Sequence, residues 1–218
     1  MYVGAEGSAP APALTGLYRS DVYRKVVHAV RCTLLLMSMP LASSGQQALA
    51  VTQQQTIDLM HRDSEIHWPP GFDPVLAAQF SHNELLIHAP CAHVFERMAK
   101  VAEWPNWFIL VKQVRVAGSS QNPAVGRTLS LSIFDTPITA KITEWVPGER
   151  IGWLPETLTP SETSHYHIWH FVSASEGCKV VTEEVGVGPS DKKMGPEGSF
   201  YMHRAHDLWL ASLRYTSE

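Results

Sequence analysis

The clearest structural pattern in the sequence lies in residues 163–186, TSHYHIWHFVSASEGCKVVTEEVG. Aromatic and β-branched residues fill both halves, and Ala174 to Gly177 interrupts them, so the stretch predicts two antiparallel strands joined by a four-residue loop. Residues that face each other across such a hairpin project to the same side of the sheet. The pairs predicted on one side are Phe171 with Val180, Trp169 with Thr182, and His167 with Glu184.

The chain before this hairpin has the pattern of an antiparallel β-sheet. Turn signals separate short runs rich in alternating apolar residues. Pro147-Gly148 fits a type II turn, because glycine readily adopts the positive φ of the third position. With the hairpin included, the predicted strands are 83–88, 110–117, 127–134, 137–146, 149–154, 163–173 and 178–186.

Helical signals lie after the first strand and at the end of the chain. Ala89-Pro90 places proline at the first position of a helix, where its missing N–H costs nothing. A second short helix over 101–103 is expected to end at Trp104-Pro105, because the residue before proline is disfavoured in the α region. From Ser199 to Tyr215 a period of three and four predicts a long amphipathic helix. Its predicted inner face consists of Met202, Ala205, Trp209 and Leu213.

The predicted element order is one strand, two short helices, six strands and one long helix, which is an α+β arrangement. A seven-stranded antiparallel sheet buries its apolar face against a single terminal helix if it curves around that helix. We expect the two to enclose a mostly apolar pocket. The domain is predicted to span residues 61–218. Residues 1–60 are predicted to be a disordered extension, either a signal segment, a linker or sequence before a true start at Met60.

Several motifs between about residues 65 and 215 support the same architecture. They are His67–Pro74, Leu86–Pro90 with Val94-Phe95, Trp104–Trp107, Glu144–Trp153, Tyr166–Trp169, Thr182–Glu184 and His206–Leu210. Together they resemble the SRPBCC superfamily of START-like helix-grip proteins, in its polyketide cyclase/dehydrase-like branch. The resemblance implies a deep cavity under the C-terminal helix. It implies no single reaction, because this superfamily includes lipid carriers, ligand binders and aromatase/cyclases without a shared catalytic motif.

Candidate site residues follow from the alternation of side chains along the predicted strands. His167 and Glu184 would meet on the pocket face, where a carboxylate can orient an imidazole for general acid–base catalysis. We therefore name His167 and Glu184 as candidate catalytic residues. The candidate ligand-binding residues are Phe134, Trp153, His165, Trp169, Phe171, Thr182, Met202, His206 and Trp209.

These residues leave more than one function open. The first is a carrier or sensor that binds a small hydrophobic ligand such as a lipid, a polyketide or an aromatic metabolite. The alternative is a polyketide cyclase/dehydratase-type enzyme that uses His167 and Glu184. A third is an interaction domain whose cavity is vestigial. A structural interpretation competes with both site proposals, since buried charges have to be paired and these two side chains would neutralise each other.

We predict neither a metal nor another cofactor. His165 and His167 on a strand, with His203 and His206 on a helix, have the spacing to converge on zinc or iron. However, eleven histidines in 218 residues make such pairs common by chance.

Composition and charge restrict the partners. A formal net charge of −4 gives no basic surface for nucleic acid. Three cysteines form no metal motif, and the odd count favours reduced thiols. No apolar run reaches the roughly 20 residues of a membrane-spanning helix, so stable membrane insertion is not expected. We expect a cytoplasmic protein, with export through a signal segment near residues 24–50 as the alternative. The oligomeric state is left open.

Overall fold

The computed structural model describes residues 44–118, 122–155 and 163–218, with side chains from residue 51 onward. Residues 24–43 of the predicted signal segment lie outside the described residues, as do residues 119–121 and 156–162. The elements in chain order are α1 (Ser44–His61), β1 (Gln79–Ile87), α2 (Cys91–Ala99), a 3-10 turn (Val101–Glu103), α3 (Trp104–Trp107), β2 (Val111–Val116), β3 (Thr128–Ile133), β4 (Thr136–Val146), β5 (Arg150–Pro155), β6 (Ser164–Ala174), β7 (Gly177–Val187), α4 (Pro189–Met194) and α5 (Pro196–Ser217).

The seven strands form one antiparallel sheet in the order β1-β7-β6-β5-β4-β3-β2. Each neighbouring pair is antiparallel, so the predicted α+β class and strand count are confirmed. The strand β1 begins at Gln79, four residues before the predicted start. The turn between β4 and β5 has the predicted geometry, with Gly148 at φ +82°.

The register of the β6–β7 hairpin is the predicted one. Phe171 pairs with Val180, Trp169 with Thr182, and His167 with Glu184. Pairing continues to Ala174 and Gly177, so two residues make the turn rather than four. Gly177 has φ +144°, and a Cβ there would collide with the Ile87 carbonyl oxygen of β1. Only glycine therefore allows β7 to start this close to the end of β1.

The inner face of the sheet packs against α5. Trp209, Leu210 and Leu213 of this helix are buried in the same apolar cluster as Trp169 and Phe171 of β6. This contact confirms that the terminal amphipathic helix lies against the sheet.

The outer face of the sheet is also covered. The second apolar cluster consists of Ile66, Phe72, Phe80, Tyr166, Ile168, Val181 and Val185. Ile66 and Phe72 belong to the segment that precedes β1, so this segment packs over β6 and β7. As a result Glu183 is fully buried, although strand alternation alone would place it on a solvent-facing side of β7. It is bound by His82 Nδ1 and by the backbone N–H of Asp63, each at 2.6 Å.

Helix α1 lies almost wholly in the segment up to residue 60 that we expected to be a disordered extension. It belongs to the same compact unit as the sheet, which runs from Leu41 to Glu218. Its Asp58 is buried and contacts His203 Nδ1 of α5 at 3.0 Å. Gln55 Oε1 accepts a hydrogen bond from Ser199 Oγ. These contacts are polar, which is why the apolar periodicity did not reveal the helix.

Two further sequence predictions are corrected. Trp104 adopts the α conformation and begins α3, although Pro105 follows it. Proline is tolerated there because the first turn of a helix needs no intrahelical donor. Cys91 and Cys178 form a disulfide with a Cα–Cα distance of 4.8 Å. Our expectation of reduced thiols is therefore wrong for these two residues. None of the helices within the described residues is long and apolar enough to cross a bilayer.

Candidate functional site

Three polar side chains converge between the sheet and the terminal helix. His167 lies on β6, Glu184 faces it on β7, and His206 projects from α5. Glu184 Oε2 lies 3.0 Å from His206 Nε2 and 3.4 Å from His167 Nδ1. Both histidines are buried, and Glu184 keeps 15% of its side-chain surface exposed. We refer to His167, Glu184 and His206 as the polar cluster.

Hydroxyl groups hold the outer nitrogens of the two histidines. Thr182 Oγ1 lies 2.8 Å from His167 Nε2 and donates its own proton to the Ile168 carbonyl oxygen. It can therefore only accept from the imidazole, which places the proton of a neutral His167 on Nε2. Ser81 Oγ lies 3.0 Å from His206 Nδ1. Both rings are thus fixed in orientation.

The second oxygen of Glu184 is held by another histidine. His165 contacts Glu184 Oε1 at 2.6 Å with Nδ1 and Asp191 Oδ1 at 3.1 Å with Nε2. Burial by itself would lower the pKa of His165, but the carboxylates of Asp191 and Glu184 raise it to about 10. His165 is therefore a cation at neutral pH, and it offsets part of the negative charge of the two carboxylates.

The charges within the polar cluster follow from burial and from these neighbours. Burial lowers the pKa of His167 to about 3, and the attraction of Glu184 does not compensate. Burial would raise the pKa of Glu184, yet the surrounding rings of His167, His165 and His206 hold it well below its usual value. At neutral pH the cluster therefore contains a carboxylate beside a neutral imidazole.

An aromatic wall adjoins the polar cluster, with Trp209 of α5 at its centre. The Trp209 ring lies 5.3 Å from Trp169 and 6.4 Å from Trp153, and 5.8 Å from the ring of His167. It stacks on Phe108 at 4.6 Å. The helix therefore packs closely on the sheet at Trp209, where we had expected it to leave a hollow.

Two indole N–H groups of this wall have no acceptor among the described residues. They are Nε1 of Trp169 and Nε1 of Trp209, and both side chains are buried. Trp104 contrasts with them, because its Nε1 donates to the Met98 carbonyl oxygen at 2.8 Å. Other buried polar atoms, among them Trp107 Nε1, also lack a partner among the described residues, but Trp169 and Trp209 are the two that lie beside the polar cluster. Buried donors are nearly always paired, so an acceptor is expected near these two indoles.

Most of the residues predicted for the site lie in one region. The polar cluster and its surroundings contain eight of them: Trp153, His165, His167, Trp169, Thr182, Glu184, His206 and Trp209. Phe171 lies further along β6, against Phe95 of α2 at 5.3 Å. Met202 is buried on α5, one turn before His206. Phe134 lies apart from these residues in the β3–β4 turn, half-buried with φ +51°.

Three residues of the site were not predicted. Ser81 lies before the start that we assigned to β1, and Asp191 lies on the unpredicted helix α4. Trp104, which we did not assign to the site, contacts Trp209 at 5.3 Å and Trp153 at 5.9 Å. Each reaches the site through tertiary packing that no local pattern encodes.

An open depression of about 560 Å³ lies elsewhere, around the disulfide. Its walls are formed by residues 88–92 and 173–177. It shares no residue with the polar cluster.

Comparison with known proteins identifies the family. The model of a family described as polyketide cyclase / dehydrase and lipid transport matches residues 82–218. No protein of curated function matches the sequence.

Solved structures share the fold at low sequence identity. A hypothetical protein from Helicobacter pylori (jhp0584) has a TM-score of 0.64 at 17% identity, covering 72% of this chain and 98% of its own. The Zhui aromatase/cyclase from Streptomyces sp. R1128 has a TM-score of 0.51 at 14% identity, covering 64% and 93%. A START superfamily protein from Mycobacterium smegmatis has a TM-score of 0.51 at 9% identity, covering 63% and 96%. The helix-grip architecture and the family match agree, and the chain belongs to the polyketide cyclase/dehydrase and lipid transport family.

Proposed function

We propose that the protein binds a small, mostly apolar molecule that carries an oxygen atom. The apolar body of this molecule packs against Trp153, Trp169 and Trp209. Its oxygen lies beside the polar cluster and accepts hydrogen bonds from the buried indole N–H groups. This proposal agrees with the family, whose description names polyketide chemistry and lipid transport.

The observation that carries the proposal is the pair of unpaired indole donors. A buried donor without an acceptor costs about 1–3 kcal/mol. Trp169 and Trp209 both carry such a donor, and both lie within 6 Å of the His167 ring as measured between ring centroids. A ligand oxygen in this region would recover that free energy, whereas a pure hydrocarbon would not.

The close packing of Trp209 determines how binding must proceed. Its ring already contacts Phe108 and Trp169, so a ligand has to separate these rings to enter. His165 keeps 30% of its side-chain surface exposed beside Glu184, which provides a route from solvent. We therefore expect binding to change tryptophan fluorescence.

A second candidate function is a cyclase or dehydratase that uses His167 and Glu184 as an acid–base pair, with the carboxylate orienting the imidazole. The neutral imidazole beside an ionised carboxylate favours it, since the free Nδ1 of His167 can take up a proton. General bases work best with a pKa near the operating pH, however, and a pKa of about 3 makes His167 a weak base. The geometry therefore supports binding better than catalysis.

Native mass spectrometry of the purified full chain tests the binding proposal. We expect a non-covalent adduct of a few hundred daltons that organic extraction removes. A fluorescence titration with 2-naphthol, an aromatic molecule with one oxygen, then measures binding to the extracted protein. Trp209→Phe should weaken it several-fold, and Trp68→Phe on the outer face serves as the matched control. Absence of both an adduct and 2-naphthol binding would refute the proposal.

The compartment is a separate question, and we infer that the protein works in an oxidising one. Disulfides persist in extracellular and periplasmic environments and are rare in the cytosol. The Cys91–Cys178 bond therefore favours the exported alternative over a cytoplasmic location. Maleimide labelling of the protein in its native cells, with and without prior reduction, tests this inference. Labelling of both cysteines without reduction would contradict it.

A further inference from the structure

The polar cluster has the dimensions of a metal site. One ligand atom from each of His167, Glu184 and His206 lies within 4.8 Å of the other two. The distances from Glu184 Oε2 are 3.0 Å to His206 Nε2 and 3.4 Å to His167 Nδ1. Ligand atoms that each lie about 2.1 Å from one ion are about 3.0 to 3.4 Å apart, for octahedral to tetrahedral angles. Two of the three separations therefore already suit a bound ion.

The hydrogen bonds of His167 determine which ring nitrogen faces Glu184. Thr182 holds Nε2 at 2.8 Å, so Nδ1 is the atom that faces Glu184 Oε2, at 3.4 Å. A charge-assisted hydrogen bond between the two would be shorter, at about 2.7–2.9 Å. The longer separation is the one expected between two ligands of one ion at a tetrahedral angle.

The residues around the cluster match the surroundings of metal ligands. Metal-binding histidines usually hold their second ring nitrogen in a hydrogen bond, and ligand carboxylates are hydrogen-bonded too. Thr182 holds His167, Ser81 lies at His206 Nδ1, and His165 holds Glu184 through Oε1. For His206 Nε2 to act as a ligand, its proton moves to Nδ1 and the Ser81 hydroxyl rotates to accept it.

From this geometry we propose that His167, Glu184 and His206 bind one divalent transition-metal ion. Two imidazoles and one carboxylate suit Zn²⁺, Fe²⁺ or Co²⁺ and do not suit Mg²⁺ or Ca²⁺. Three protein ligands leave at least one coordination position for an oxygen of a bound molecule. This proposal departs from our prediction that the chain holds no metal. It goes beyond the proposed function and does not depend on it.

Zinc binding to the full chain tests the proposal. The protein is stripped with a chelator, which is then removed, and Zn²⁺ is titrated by calorimetry without any organic ligand. We expect one ion per chain, and a loss of affinity of at least about 100-fold in both Glu184→Gln and His206→Gln. His203→Gln is the matched control, because it changes the same residue type one turn away on α5 and should bind Zn²⁺ like the wild type. Circular dichroism confirms that each variant is folded.

A second variant pair examines the supporting hydroxyl. Thr182→Val removes the acceptor for His167 and should weaken Zn²⁺ binding about 10- to 100-fold, while Thr182→Ser should restore it. No stoichiometric Zn²⁺ binding by the wild type, or undiminished binding by Glu184→Gln and His206→Gln, would overturn the proposal. If the protein binds 2-naphthol but does not bind Zn²⁺, only this inference is wrong. If it binds Zn²⁺ but does not bind 2-naphthol, only the proposed function is wrong.

Discussion

The contrast between two buried tryptophans gives the sharpest test of the unpaired indoles. Trp104 and Trp169 are both fully buried, so Phe substitution removes the same atoms and leaves a cavity of similar origin at each position. The two differ in their hydrogen bonds. Trp104→Phe deprives the Met98 carbonyl oxygen of its donor, whereas Trp169→Phe removes a donor that has no acceptor within the described part of the chain.

The expected magnitudes follow from this difference. Losing the partner of a buried group costs about 1–3 kcal/mol, and removing an unsatisfied buried donor recovers a similar amount. With the packing losses cancelled, Trp104→Phe should be about 2–6 kcal/mol less stable than Trp169→Phe in the ligand-free protein. Urea denaturation of extracted protein, followed by circular dichroism, measures the free energy of unfolding of each variant. Equal losses in the two variants would refute the assignment of an unpaired donor to Trp169.

Three further predictions concern pH, redox state and packing. The free energy of unfolding should be greatest near pH 6.5. Below this pH His167 is protonated in the unfolded chain but stays neutral in the fold, which lowers the free energy of unfolding by up to about 1.4 kcal/mol per pH unit. Above it His165 stays protonated in the fold but not in the unfolded chain, which again lowers the free energy of unfolding. Denaturation at pH 5 to 9 checks this, and His167→Asn should flatten the acid side alone. Reduction of Cys91–Cys178, which are 87 residues apart, should lower the free energy of unfolding by about 4 kcal/mol in urea titrations with and without dithiothreitol; an unchanged midpoint would contradict this. Gly177→Ala should lower the melting temperature by several degrees, because its Cβ meets the backbone at the end of β1. Gly126→Ala serves as the control for positive φ, since its Cβ meets no atom of the described residues within 4 Å.

The hairpin that contains much of the site could be predicted from sequence because its information is local. Alternation along 163–186 identifies which residues share a face, and the short turn sets the register. Both agree with the structure, including the opposition of His167 and Glu184. The closest partners of Glu184 are nevertheless His165 and His206, because side-chain reach and the position of α5 decide contacts beyond the register.

Features that depend on distant parts of the chain could not be predicted in this way. Glu183 follows the pattern of an exposed position on β7, and only the arrival of Asp63 and its neighbours buries it. The Cys91–Cys178 pair joins the start of α2 to the start of β7, and the number of cysteines gives no pairing. Helix α1 joins the fold through the polar side chains of Gln55 and Asp58 and through Leu59, a set too sparse in apolar residues for hydrophobic periodicity to reveal.

The affinity of the extracted protein for two matched ligands shows directly whether the buried indole N–H groups bind a ligand oxygen. The ligands are 2-naphthol and 2-methylnaphthalene, which have the same rings and differ in the oxygen that the buried indoles are expected to bind. We predict that 2-naphthol binds at least about tenfold more tightly than 2-methylnaphthalene, equivalent to about 1.4 kcal/mol, and that Trp169→Phe reduces this preference. Equal affinity for the two molecules, or a preference that survives in Trp169→Phe and Trp209→Phe alike, would contradict it.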